Sequence, residues 1–346
     1  MPSYLIYIIS AKCNAKCKFC FYWQNIDNFQ KNSHLELKLD EIEKFAKSLE
    51  KIQYVTLGGG EPFLREDLPE ICKLFHDYND VQQITIPTNG MFTDRIISYV
   101  KKMIEYCPNT YFRVSLSLDA IGEEHDKVRG VKGIFKNLTK TYERLSELRK
   151  TTKRLNIDIS SVFSSFNQDN FKELIDYVHE NFDVDNHNFL FVRGNPREKV
   201  SKNVSVEKYS EARKYYDSLK KRNENRPFSP VMRAMYETAM ENIEKTVKHE
   251  KCVIPCRATI NHLISVDETG NVYPCELLPE KKLGNLRDYD FDLRKMIETE
   301  KAKKTKKWIL DSKCHCTWEC AMNANLLYDV KSYPKLLKKT VEYSIK

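Results

Sequence analysis

Three cysteines, Cys13, Cys17 and Cys20, stand as C-x3-C-x2-C within the stretch S-A-K-C-N-A-K-C-K-F-C-F-Y-W at residues 10–23. Thiolates are the ligands of iron–sulfur clusters. Three of them on one short loop can hold three corners of a cubane cluster and leave the fourth iron open to something that reacts. Zinc is the rival for clustered cysteines, but a structural zinc site closes with four ligands, often as two C-x2-C pairs. No His or further Cys follows Cys20 within a dozen residues. Six more cysteines gather late: Cys252, Cys256, Cys275, Cys314, Cys316 and Cys320. Cys72 and Cys107 stand singly in helical patterns, where a free thiol packs as a small apolar side chain. A second chemical signal is Gly58-Gly59-Gly60-Glu61-Pro62. The glycines let backbone approach a ligand closely, and the carboxylate can hold an ammonium group.

Elements that would position these residues alternate along the first 200 positions. Apolar Tyr4-Leu5-Ile6-Tyr7-Ile8-Ile9 reads as a strand that leads into the cysteine loop. Leu39, Ile42, Phe45, Ala46 and Leu49 have helical spacing. Strands are expected at 54–57, 83–90, 111–119, 155–163 and 188–193, with helices at 68–78, 96–106, 134–148 and 171–182 between them. Such alternation argues for a parallel sheet with helical crossovers. Six units are too few for a complete eight-fold barrel. In parallel α/β sheets ligands gather at the C-terminal strand ends. The glycine motif, Thr88-Asn89-Gly90 and Ser117-Leu118-Asp119 all fall at such ends.

Residues 204–250 are helical in pattern, interrupted at Arg226-Pro227-Phe228-Ser229-Pro230. Ile264-Ser265-Val266 and Val272-Tyr273, around Glu268-Thr269-Gly270-Asn271, read as a β-hairpin. One helix is expected over 292–310 before the last cysteines. The 346 residues suit one large domain and a smaller one, and 41% hydrophobic with 31% charged content fits a globular chain. No apolar run approaches the roughly 20 residues of a membrane span, and a secretory signal is not evident at the N-terminus. The cytoplasm is the expected compartment, and a reducing one suits clustered, odd-numbered cysteines. The net charge is +8, with a basic excess at Lys301-Ala302-Lys303-Lys304-Thr305-Lys306-Lys307. That run reads as a solvated helix face, with an acidic partner peptide or a phosphorylated substrate as the alternative. No basic stripe with interleaved aromatics suggests nucleic acid.

The loop at 10–23, with Phe19 before its last cysteine, resembles the cluster loop of the radical S-adenosylmethionine (SAM) enzymes. The resemblance implies an α/β fold: a partial (β/α)6 barrel over 1–200, a helical connector over 201–250, a small cysteine-rich α+β region of the SPASM or twitch type over 251–325, and a helical tail over 326–346. It implies a SAM-binding four-iron, four-sulfur cluster on Cys13, Cys17 and Cys20. Gly59, Gly60 and Glu61 would hold the amino group of SAM, with Thr88, Asn89 and Asp119 at ribose or carboxylate. Ser117 and Arg129, twelve residues apart, match a pair that holds the SAM carboxylate in sulfatase-maturing relatives. The alternative for Arg129 is a helix-capping surface arginine. Phe19 would touch the adenine, and Val192, within Phe191-Val192-Arg193-Gly194, would line adenine or substrate. Reductive cleavage of SAM would yield a 5′-deoxyadenosyl radical that abstracts hydrogen from an unactivated carbon.

Cys256-x13-Gly270-x4-Cys275 resembles the opening of a SPASM or twitch region. Six late cysteines are fewer than the full two-cluster form needs, which implies one auxiliary four-iron cluster. Cys256, Cys275, Cys316 and Cys320 are its expected ligands, with Cys314 able to replace Cys316 and Cys252 as an alternative; structural zinc is the rival. Glu276 matches the position of a proton acceptor in sulfatase-maturing relatives; the alternative is a solvated hairpin carboxylate. Trp318 reads as packing. The function expected is net oxidation or bond formation on a peptide or protein. The same chemistry on a sugar, aminocyclitol or nucleotide is the second reading, and an iron–sulfur electron-transfer or metal-stabilised binding protein the third. A low-potential donor such as flavodoxin or ferredoxin is the expected partner, with no nucleic acid and no membrane.

Overall fold

The structure, a computed structural model, describes residues 2–219, 229–259 and 262–345. Its strands are β1 (Tyr4–Ser10), β2 (Tyr54–Gly59), β3 (Gln83–Thr88), β4 (Tyr111–Ser117), β5 (Leu155–Phe163), β6 (Asn186–Phe191), β7 (Leu263–Val266), β8 (Asn271–Tyr273) and β9 (Gly284–Asn285). They form one open sheet in the order β6-β5-β4-β3-β2-β1-β7-β8-β9. Each neighbouring pair from β1 to β6 is parallel. Parallel neighbours need long crossovers, and helices supply them. These are α1 (Trp23–Asp27), α2 (Phe29–Asn32) and α3 (Leu39–Ser48) after β1, α4 (Leu68–Asn79) after β2, and α5 (Thr93–Tyr106) after β3. Then come α6 (Glu123–Arg129) and α7 (Ile134–Arg149) after β4, and α8 (Phe171–Asn181) after β5. The expected alternation and mixed α/β class are therefore present.

β1 lies in the interior of the sheet, with parallel partners on both sides. That explains its unbroken apolar run, since both faces are covered. α3 lays Ile42, Phe45 and Ala46 onto it, all fully buried. Tyr7, Phe45 and Phe75 meet edge to face, each pair of ring centroids 6.4 Å apart. Cys72 and Cys107 are buried in the same core.

The later chain departs from expectation in three ways. The hairpin is not a separate sheet: β7 pairs in parallel with β1, and β8 and β9 add antiparallel strands beyond it. Leu263, Ile264 and Val266 are apolar enough to be covered on both faces, which suits an interior position. The helix expected over 292–310 is two, α11 (Leu293–Ile297) and α12 (Glu300–Asp311). Thr299 breaks it by acting as an N-cap, its hydroxyl accepting from the Ala302 N–H. The division expected at residue 326 falls inside α13 (Glu319–Tyr328).

Between β6 and β7 stand α9 (Val206–Leu219) and α10 (Ser229–His249). The Arg226-to-Pro230 break expected between them lies largely outside the described residues. The final helix, α14 (Tyr333–Ile345), returns to α10. Lys339 there pairs with Glu237 at 3.3 Å and Glu241 at 2.5 Å.

Phe45 is fully buried against the Tyr7 and Phe75 rings. Phe45→Ala is expected to destabilise the protein by about 3–5 kcal/mol, a drop that denaturant unfolding will read.

Candidate active site

The cysteine loop begins where β1 ends, and backbone holds it in place. Gly60 N–H donates to the Ser10 carbonyl at 2.9 Å and Glu61 N–H to the Lys12 carbonyl at 2.8 Å. A Cβ on Gly60 would sit 2.2 Å from the Lys12 oxygen, and one on Gly59 2.4 Å from the Ser10 oxygen. Gly59 also has φ +119°, a conformation that favours glycine. From β3, Asn89 Nδ2 donates to Asn14 Oδ1 at 2.8 Å. Lys16 and Lys18 N–H donate to the Arg129 and Val128 carbonyls at the end of α6, at 3.0 and 3.1 Å. Beyond β6, Arg197 N–H donates to the Cys20 carbonyl at 3.0 Å. Four neighbouring segments thus hold one loop.

Cys17 is buried and Cys13 and Cys20 are half-buried. Burial pushes the Cys13 and Cys20 thiols up to about 12, and each also feels the Cys17 sulfur. Burial raises the Cys17 thiol as well, against the pull of Arg129. Three close, dry thiols ionise readily only beside a strong positive centre. The donor set fits a cluster with one uncovered iron.

Around the loop lie the other expected residues. Glu61, 1% exposed, accepts from Thr88 Oγ1 at 2.8 Å, Asn89 N–H at 2.8 Å and Phe63 N–H at 3.2 Å. Burial pushes its carboxyl up to about 7 against those donors. The expectation that Glu61 turns its carboxylate to an ammonium group is corrected: three donors at the ends of β2 and β3 already occupy it. Thr88 also accepts from Gly90 N–H, and Asn89 Oδ1 from Met91 N–H. Their side chains shape the strand end.

Arg129 is 8% exposed, so the surface alternative fails. Its Nε and Nη2 lie 2.7 and 2.5 Å from one Asp119 oxygen, and its Nη1 donates to Cys17 Sγ at 3.6 Å. The guanidinium stands 5.4 Å from the Phe19 ring centroid. Asp119 is fully buried and its second oxygen accepts from Val162 N–H at 2.8 Å. Its carboxylate faces Arg129, not a ribose, which corrects that expectation. Ser117 closes β4 and is half-buried. Val192 is buried just past β6, its N–H donating to the Phe163 carbonyl at 3.1 Å.

The second cysteine group also converges. Cys256, Cys275, Cys314 and Cys316 line one enclosed cavity of about 70 Å³ with Leu277, Leu278 and Trp318. Burial pushes Cys314 up to about 11 and Cys316 to about 12, and each feels the Cys256 sulfur. The lining differs from the preferred quartet by one residue. Cys320 is not in the lining and Cys314 is. Cys320 sits on the first turn of α13 and turns toward β1, its Sγ 3.4 Å from Tyr4 Oη. Cys252 bonds to the Ile254 carbonyl at 3.2 Å and stays outside the lining.

Glu276, next to Cys275, is paired with Arg193. Arg193 Nη2 donates to Glu276 Oε1 at 3.0 Å and Nη1 to Glu319 Oε2 at 3.2 Å. The guanidinium also stands 5.6 Å from the Trp318 ring and 5.8 Å from Phe21. Burial pushes the Glu276 carboxyl up, and Arg193 opposes it. So Glu276 is not a solvated hairpin carboxylate. Arg193 and Glu319 form a triad with it that sequence reasoning missed. The available signal was an acidic residue beside clustered cysteines in each segment, Glu276 after Cys275 and Glu319 before Cys320. A second missed link joins the loops: Tyr22 Oη donates to Glu268, and Asn25 Nδ2 donates to Glu268 Oε1 at 3.3 Å.

Comparison with known proteins decides the family. Residues 7–178 match the radical SAM superfamily. The chain belongs to that superfamily. Members of that superfamily use a four-iron, four-sulfur cluster and SAM. Its relatives include GTP 3′,8-cyclase of Helicobacter pylori, 29% identical over 178 residues, 51% of this chain and 51% of the relative. Another is Fe-coproporphyrin III synthase of Methanosarcina barkeri, 26% identical over 183 residues, 50% of this chain and 43% of the relative. The chain spans about half the length of the curated relatives it matches. The fold is shared more widely. It matches anSMEcpe solved with AdoMet and a Cp18Cys peptide at TM-score 0.61 and 20% identity, over 100% of this chain and 97% of that one. Streptococcus suis SuiB bound to S-adenosylmethionine matches at TM-score 0.63 and 16% identity, over 89% and 68%. Among the described residues no helix is long and apolar enough to cross a membrane.

The glycine contacts are directly testable. Gly60→Ala is expected to cost about 1–3 kcal/mol through overpacking and to lower the iron retained after anaerobic reconstitution. Gly58→Ala is the control, because a Cβ there meets only Pro87 at 3.9 Å; equal iron loss in both variants would count against the close-approach account.

Proposed function

We propose that this radical SAM enzyme carries a second, auxiliary four-iron cluster and catalyses net oxidation or bond formation at an unactivated carbon of a peptide or protein. The observation that carries the reading is the convergence of Cys256, Cys275, Cys314 and Cys316 on one cavity, with Glu276 beside it. The bound groups supply a 5′-deoxyadenosyl radical at the first site and a one-electron sink at the second.

The chain's own residues then divide the work. Cys13, Cys17 and Cys20 hold the SAM-binding cluster. Arg129, fixed by Asp119, places a permanent positive charge at Cys17 and is positioned for the SAM carboxylate with Ser117. Backbone at Gly59, Gly60 and Glu61, shaped by Thr88 and Asn89, frames the amino end. Phe19 and Val192 supply apolar surface for the adenine. Cys256, Cys275, Cys314 and Cys316 hold the auxiliary cluster, with Cys320 adjacent. Glu276 takes the proton lost as substrate is oxidised, and Arg193 aims its carboxylate. A general base must be held in reach of its proton, and the Arg193 contact that fixes the Glu276 carboxylate supports that reading.

The whole-length fold likeness to a protein solved with a bound peptide supports the peptide reading. A small polar metabolite of sugar, aminocyclitol or nucleotide type is the second reading, supported by relatives named for a GTP cyclase. Incubation with candidate precursor peptides and with nucleotides, read by mass spectrometry, separates them.

Reconstituted enzyme with dithionite and SAM is expected to release 5′-deoxyadenosine and to carry roughly eight irons, four per cluster. Cys275→Ala should lose about half of that iron while still cleaving SAM. Wild-type iron near four per chain would defeat the two-cluster reading. Glu276→Gln is expected to keep both clusters and SAM cleavage but lower product formation by about 10²–10⁴-fold, the usual worth of a general base.

A further inference from the structure

We propose that the groove between the short turn Pro279–Lys281 and α12 docks an acidic one-electron carrier protein beside the cysteine-lined cavity. This rests on the reading of that cavity as a metal centre. The groove is open, about 550 Å³ in volume, and lined by Lys281, Lys301, Lys304, Thr305 and Trp308. Trp308 is 39% exposed, a large aromatic surface open to solvent at the groove. Lys281 Nζ stands over its ring at 3.9 Å.

Charge on this face is one-sided. α12 holds five lysines, Lys301, Lys303, Lys304, Lys306 and Lys307, against Glu300 and Asp311. Glu300 pairs with Lys303 at 2.9 Å. Among the described residues neither Lys301 nor Lys304 has an ion pair, and both are exposed.

Location selects the partner. Leu277 and Leu278 line the thiol cavity, and Lys281 N–H donates to the Leu278 carbonyl at 3.0 Å, one short turn away. On the other side, Cys314 N–H donates to the Ile309 carbonyl at 3.1 Å, next to Trp308. Both walls of the groove are therefore tied directly to the lining of the cavity. One aromatic anchor within a cationic rim suits a transient protein contact, in which charge steers the encounter and a single large side chain holds it. Electron-transfer encounters typically bury little surface. A nucleic-acid groove would carry several aromatics among its basic residues, and this face has one.

The test uses reconstituted holoenzyme and an acidic flavodoxin, with binding measured anaerobically by biolayer interferometry. Affinity is expected to fall about tenfold between low and moderate salt, since exposed charges are screened. Lys301→Glu with Lys304→Glu should weaken binding about tenfold more, and Trp308→Ala about fivefold, at unchanged iron content and circular dichroism. Unchanged binding in the double variant overturns the proposal. So does tighter, equally lysine-dependent binding of a polyglutamate peptide or a single-stranded oligonucleotide. Iron counts separate the two readings. Lysine-dependent flavodoxin binding with only one cluster's iron supports the docking face and removes the auxiliary centre; full iron without such binding does the reverse.

Discussion

The site depends on backbone lying against backbone. At Gly59 and Gly60 the end of β2 comes so near the cysteine loop that a methyl group would overlap its carbonyl oxygens. Because no side chain intervenes, the amides of Gly60 and Glu61 reach the Ser10 and Lys12 carbonyls directly. The loop is then held from β2, β3, α6 and the segment beyond β6. A loop held this way is ordered by the surrounding strands and helix before anything binds to it. The ordering entropy has already been met by folding, so binding need not supply it.

Buried charge in the site is balanced locally. Glu61 accepts from three neutral donors, two amides and a hydroxyl, and also feels the Arg129 charge. Asp119 is matched by Arg129, and Glu276 and Glu319 share Arg193. Removing one member of such a set leaves an unpaired charge in a dry place, which costs more than the pair itself contributes. The arginines also connect the two cysteine groups. Arg129 reaches Cys17, while Arg193 lies near Phe21 of the first loop and holds Glu276 beside Cys275. Tyr4 adds a third connection, bridging Thr56 on β2 and Cys320 on α13.

Much of the fold was legible along the chain because the repeating unit is local. A strand with apolar faces, a turn with glycine, and an amphipathic helix can each be read within about 15 residues. The bounds of β5 and α8 were met within a residue. What escaped was non-local or depended on a single side chain. Thr299 looked like one more helical residue until its hydroxyl capped α12. β7 looked like half of a free hairpin, because nothing in four residues states which strand they will lie beside. Cys314 and Cys316 could be exchanged on paper, yet both line the cavity, while Cys320 lies on a helical turn with its sulfur at Tyr4.

Spacing along the chain by itself determined the chemistry of the first site. C-x3-C-x2-C, the glycine run and the strand-end residues lie within short loops, where covalent connection limits how far apart they can be. Tertiary structure decided what those residues face. It turned Glu61 and Asp119 inward as supports, brought Arg193 across from β6 to Glu276 and Glu319, and gathered Cys256, Cys275, Cys314 and Cys316 around one cavity. Those outcomes follow from packing between segments up to 126 residues apart in sequence, from Arg193 to Glu319. Loop closure over such lengths is set by the whole sheet and its helices and leaves no local trace in residue pattern.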